Sequence, residues 1–145
     1  MFDAQAIVAF FRDEPAAGEV EQELREPSRP SRISSVNVAE VVDVMTRIFA
    51  RPVDGTLNAL AMLEAGGLEI ITVDASIGLH AGELHAHYNH RESSPLSMAD
   101  CVALSVAAAL DEPLMTSDPP LAAAARAEGF QVLPLPDSQG RRPAP

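Results

Sequence analysis

The chain has no lysine and no tryptophan, and only one cysteine in 145 residues; all ten of its basic residues are arginine. Without lysine, phosphate-loop nucleotide hydrolases, Schiff-base enzymes and the aspartate-plus-lysine sites of receiver domains and aspartate-nucleophile phosphatases are excluded. Cys101 has no partner for an internal disulfide, and one cysteine with four histidines is a poor basis for structural zinc. A reducing cytoplasm is the expected compartment. No apolar run reaches the roughly 18 residues of a spanning helix, and no basic stretch leads into an apolar segment at the start. Neither membrane insertion nor secretion is expected. Five phenylalanines and one tyrosine are too few for a base-stacking platform.

What is present describes a globular unit. Hydrophobic residues make up 47%, charged residues 21%, and mean hydropathy is +0.06, so the chain can bury a core and is of single-domain size. The net charge of −11 argues against nonspecific binding of nucleic acid through a basic face. A polyanionic substrate would need local help from arginines or metal ions.

Short β-type segments alternate with helical patterns. Ile7 to Phe11 and then Val20 with Leu24 read as two small helices separated by Pro15. Residues 26–31 form a loop by composition, followed by a brief strand over 32–35. Val38, Val41, Val42, Met45, Ile48 and Phe49 mark one face of a long helix ending near Pro52, and Leu57 to Leu63 another that stops at Gly66 and Gly67. Leu68 to Val73 is the clearest strand, with a helix through about Tyr88 after it. Arg91 to Pro95 reads as loop, and Ser97 to Leu110 as an Ala-rich helix buried on most sides. Strands are expected over 113–117 and 130–135, flanking a helix over 119–128. These elements predict an α/β domain over 1–135, with three layers and a mainly parallel sheet of about five strands flanked by helices, plus a flexible tail over 136–145. Ligands of such folds bind beyond the carboxyl ends of the strands.

Four acids fall where strands end or helices begin: Asp3, Glu40, Asp100 and Asp118. Each has a plain structural account. Asn37 with Glu40, and Ser97 with Asp100, have capping-box spacing; Asp118 before Pro119 looks like an N-cap; Asp3 suits an N-cap as well. Together they imply something else. If their strands lie side by side, the four carboxylates share one crevice and repel unless a cation separates them. Oxygen-only ligands suit Mg²⁺ or Mn²⁺, and such a site can activate water against a phosphodiester.

On these residues the sequence resembles PIN-domain ribonucleases of the VapC toxin type. The resemblance is carried by Asp3 before a helix, Asn37-Val38-Ala39-Glu40-Val41, Ser97-Met98-Ala99-Asp100 opening an Ala-rich helix, and Leu114-Met115-Thr116-Ser117-Asp118 before the last helix. It implies that Asp3, Glu40, Asp100 and Asp118 are catalytic and bind Mg²⁺ (or Mn²⁺), with Thr116 as a polar neighbour. It also implies cleavage of RNA and inhibition by a cognate antitoxin. Members usually have a strand of about five residues before the first aspartate; here Met1 and Phe2 alone precede it, so either the start is truncated or the central strand is very short. The alternatives are a PIN nuclease of RNA processing without an antitoxin, or a degenerate protein-binding domain.

Six arginines fall between Arg12 and Arg51; of these Arg12, Arg29 and Arg32 are candidates for RNA phosphate contact, against ordinary solvated surface. His80, His85, His87 and His90 cluster in and after one helix, where exposed or capping roles are expected rather than metal binding. Asp43, one turn after Glu40, is a candidate supporting acid or simply a solvated position. Cys101 is expected to be core. Apolar residues on the outer faces of the first helices would suit a homodimer.

Overall fold

Phe2 holds the middle of a parallel sheet by pairing on both sides. The computed structural model describes residues 1–89 and 96–144. Within them the chain runs α1 (Ala4–Phe11), α2 (Ala17–Leu24), β1 (Ser31–Ser34), α3 (Ser35–Asp43) continued by a π-helical turn (Val44–Ile48), α4 (Val53–Ala65), β2 (Leu68–Ile71), α5 (Ala75–Tyr88), α6 (Met98–Leu110), β3 (Leu114–Thr116), α7 (Pro119–Ala127) and β4 (Val132–Pro134). His90, and the loop expected at Arg91 to Pro95, lie outside the described residues.

The strands β1 and β2 pair in parallel from Ser31 opposite Leu68 to Ser34 opposite Ile71, and β3 and β4 from Leu114 opposite Val132 to Thr116 opposite Pro134. Phe2 bridges the two pairs, lying parallel to Ile33 on one side and Met115 on the other. Its amide donates to the Arg32 carbonyl at 2.7 Å, the Met115 amide to the Met1 carbonyl at 2.8 Å, and the Asp3 amide to the Met115 carbonyl at 3.2 Å. The order is therefore β2, β1, Phe2, β3, β4. Of about five strands expected, the described residues show four and a one-residue bridge. The reason is local: α1 begins at Ala4 and takes the chain out of the sheet before a ladder can extend.

Side-chain alternation along these strands makes two cores. Phe2, Ile33 and Met115 pack with α1, α2, Val41, Met45 and Leu60, while Met1 and Leu114 pack with Ala81 and Leu84 of α5 and with α6 and α7. Helices thus cover both faces, as three layers require. The helix expected to run from Val38 to Phe49 instead changes to π geometry at Val44. At the end of α4, Gly67 takes φ +108, a conformation that a side chain would resist.

In α6, Cys101 to Ala107 are all buried, so this helix is enclosed on every side as its apolar run predicts. Leu104 has no exposed surface. Truncation there leaves a cavity that rigid helices cannot close, and Leu104→Ala is expected to destabilise by about 3 kcal/mol in urea unfolding. A loss below about 1 kcal/mol would show that α6 packs more loosely than this.

The segment read as a loose tail has defined contacts as far as Ala144. Arg142 pairs with Glu19 of α2 at 2.6 Å and donates to the Pro134 carbonyl, and Arg126 donates to the Ala144 carbonyl at 2.6 Å. No helix among the described residues is long and apolar enough to cross a membrane.

Candidate metal centre at the carboxyl edge

Parallel strands put the starts of the helices that follow them on one edge of the sheet, and Asp3 and Asp118 sit at such starts; Asp100 opens α6, which follows α5 and leads back into β3. Asp3 is the N-cap of α1; its Oδ1 accepts from the Ala6 amide at 2.7 Å, and its carboxylate is almost wholly enclosed. Asp100 closes a capping box on α6, accepting from the Ser97 amide at 2.8 Å while Ser97 Oγ accepts from the Asp100 amide at 3.1 Å. Capping fully accounts for these two placements. It does not account for the others.

Glu40 was expected to share a capping box with Asn37. Instead α3 starts at Ser35 with Ser34 as its N-cap, so Glu40 lies beyond the first turn and caps nothing. The helix starts earlier because Ser34 offers a hydroxyl to the Asn37 amide, at 3.0 Å. Asp118 occupies the N-cap position of α7, but its side chain makes no cap bond. Its backbone amide donates to Thr116 Oγ1 at 2.9 Å, which ties the buried Thr116 to the turn entering α7.

The electrostatics show that the four acids share one region. Burial raises the Asp3 carboxyl from 3.8 to about 7, opposed by hydrogen bonds from Thr116 and Ala6, and the charges of Asp100 and Asp118 push it further up. Glu40 is raised by burial and then by Asp100, with Asp43 and Asp118 adding to it and Asn37 opposing. Asp118 is raised by burial and by Asp100, and the Leu121 amide in the first turn of α7 opposes the rise. Asp100 acts on all three of the others. Asp3 is raised as far as neutrality, and Glu40 and Asp118 are shifted in the same direction, as expected where burial and like charges disfavour the ionised form.

The donor chemistry fits a hard divalent ion: carboxylate oxygens with a threonine hydroxyl alongside, and no soft ligand except Cys101, whose thiol burial raises to about 11. Among the described residues, no three His, Cys, Asp or Glu side chains converge tightly enough to cage an ion directly. Mg²⁺ keeps several waters and takes one or two carboxylates directly, the rest acting through water.

The chain matches the PIN domain over residues 1–133. It belongs to the PIN-domain family. Similar solved structures include VapBC2 from Rickettsia felis bound to a promoter DNA fragment, at 18% identity and TM-score 0.67, covering 92% of this chain and 96% of that one. A toxin–antitoxin complex from Klebsiella pneumoniae is similar at 20% identity and TM-score 0.56, covering 81% and 84%. VapC20 of Mycobacterium tuberculosis, a toxin that cleaves the sarcin–ricin loop, is similar at 13% identity and TM-score 0.68, covering 91% and 96%. At these identities the likeness is one of fold. No curated protein matches the chain in sequence.

The arginines expected beside this PIN-domain crevice are placed elsewhere. Arg12 follows α1, about 12 Å of helix from Asp3; it stacks over Phe49 at 3.5 Å and pairs with Glu14. Arg29 pairs with Glu23 at 2.6 Å. Arg32 joins Glu69 and Glu112 at the amino edge of the sheet, opposite the crevice. Clustering in sequence had hidden that these residues attach to different ends of their elements. Asp43 is exposed and held below the usual carboxylate range by its bond to Arg47. His85 and His87 stand in the last turn of α5, where positive charge complements the helix dipole. Cys101 is buried.

One residue escaped the sequence reading. Asn37, taken as a cap, is fully buried and donates through Nδ2 to the Ala99 carbonyl of α6 at 3.1 Å. An asparagine between two valines on a helix face was the available signal.

Proposed function

We propose that this PIN domain is a Mg²⁺- or Mn²⁺-dependent endoribonuclease and the toxin of a toxin–antitoxin pair. The observation that carries the proposal is the set of Asp3, Glu40, Asp100 and Asp118, of which Glu40 has no capping role and three have carboxyls raised by burial and by one another's charge. These four would hold the ion. When bound, it eases deprotonation of an attacking water and neutralises phosphodiester charge. Water then adds to phosphorus and the ester oxygen leaves with a proton, giving a phosphate monoester and a free hydroxyl. Thr116 steadies this arrangement: its hydroxyl accepts from the Asp118 amide and favours the ionised form of Asp3. The enclosed position of Asp3 excludes bulk water and strengthens its pull on a cation.

A partner follows from the same charges. A carboxylate crevice on a chain of net charge −11 suits a basic segment, and an antitoxin presenting an arginine there would displace the cation. Toxin–antitoxin complexes among the similar folds support this reading.

The test is incubation with total RNA in Mg²⁺ or Mn²⁺, mapping the cut ends, and co-expression with the adjacent gene. Discrete ends that vanish in chelator, and a complex that relieves growth arrest, are expected. Separate elution of the two proteins at micromolar concentration with arrest unrelieved sinks the toxin assignment; intact RNA sinks the nuclease.

A further inference from the structure

Asn37 is buried on α3, where an unpaired amide would be costly, yet each of its polar groups has a partner. Its oxygen accepts from the Ser34 hydroxyl, and Ser34 Oγ in turn accepts from the Asn37 backbone amide at 3.0 Å. Its Nδ2 donates to the carbonyl of Ala99, the residue before Asp100 on α6, at 3.1 Å. The same side chain opposes the rise of the Glu40 carboxyl, one turn further along α3. Only a carboxamide head offers both the donor for Ala99 and the acceptor for Ser34 in this fork, and glutamine is a methylene too long.

We infer that Asn37 is the positioning residue of the carboxylate centre: braced by Ser34, it ties α3 to α6 and fixes Glu40 relative to Asp100. This rests on the metal centre proposed above. Leucine at 37 would fill the same space but donate nothing, so the helix that carries Glu40 would lose its tie to α6 beside Asp100. Partners that orient metal ligands typically matter to affinity by about 10- to 100-fold.

Mn²⁺ binding to the full chain is measured by titration calorimetry in wild type, Asn37→Leu, Ser34→Ala and Val41→Ala, alongside thermal stability and the Mn²⁺ dependence of RNA cleavage. Val41 is the control, because it is buried on the same helix but packs into the core. Asn37→Leu is expected to weaken Mn²⁺ binding about tenfold and to raise the half-saturating Mn²⁺ for cleavage equally. Ser34→Ala should act in the same direction, and the double variant should be no weaker than Asn37→Leu alone. Val41→Ala should lose stability with Mn²⁺ affinity unchanged. Wild-type affinity in folded Asn37→Leu, or an equal loss in Val41→Ala, overturns the assignment. Should Asn37→Leu not fold, undiminished affinity in Ser34→Ala overturns it and weakened affinity supports it. A wild-type chain that binds no Mn²⁺ overturns the metal centre and this inference together. One that binds Mn²⁺ without cutting RNA, and loses affinity on Asn37→Leu, removes the nuclease reading and upholds the positioning role.

Discussion

Replacing Asp100 with asparagine is expected to abolish RNA cleavage without weakening the metal-free fold. Partners of metal ligands already matter by about 10- to 100-fold, so removing a ligand charge should lower cleavage by more than about 100-fold. The fold should tolerate the change. Asparagine keeps the oxygen that accepts from the Ser97 amide, so the capping box survives. It also removes the charge that pushes up Asp3, Glu40 and Asp118. Relief of that repulsion should leave the variant at least as stable as wild type in chelator, by up to about 1 kcal/mol. Millimolar Mn²⁺ should then raise the Tm of wild type much more than that of the variant. An Asp100→Asn protein that is less stable without metal and still cuts RNA would reduce this residue to a helix cap.

That experiment separates the two roles that the sequence could not. Capping and metal binding both place acids at helix starts, so spacing alone leaves them indistinguishable. The structure divides them: Asp3 and Asp100 cap, whereas Glu40 and Asp118 do not. The deciding fact for Glu40 is that Ser34 starts α3 before Asn37, a choice between neighbouring polar residues that follows from packing.

Elements with strong periodic patterns were legible. The apolar run of α6 and the β-branched run of β2 appear where composition puts them, because burial on all sides or within a sheet leaves a dense pattern. The centre of the sheet was not legible, since a single bridging residue, Phe2, has no pattern to show. Nor was the π turn at Val44, which keeps Met45 in the core and so preserves the helical spacing that was read. The positions of the arginines were not legible for a different reason. Nearness in sequence says nothing of which edge of a parallel sheet a residue reaches: Arg32 is two residues before Ser34 and yet faces away from the crevice toward Glu112. Composition also says nothing of the contact that Arg142 makes with Glu19 across the fold.

The pH dependence of stability should reverse sign when metal is added. In chelator, the Asp3 carboxyl titrates near 7 in the folded chain against 3.8 ordinarily, so between these values the folded state holds a proton that the unfolded state has released. Stability from this group is complete below about pH 4 and is lost as pH rises through 7, on the order of 4 kcal/mol over the whole range. Glu40 and Asp118, also raised, add with the same sign. From pH 5.5 to 8 the metal-free protein should therefore lose about 2 kcal/mol or more, which is roughly 5–10 °C in Tm. Asp3→Asn keeps an oxygen for the Ala6 amide and cannot ionise, so its Tm should be flatter over the same range and higher than wild type at pH 8. With millimolar Mn²⁺ the balance changes, because protons and the ion compete for the same oxygens and affinity grows as the carboxylates deprotonate. Wild-type Tm in Mn²⁺ should rise from pH 5.5 to 7.5, opposite to its course in chelator, and Asp3→Asn should show no such crossing. Parallel curves with and without Mn²⁺ would mean that Asp3 carries its proton for the fold alone and that no cation is held at this edge.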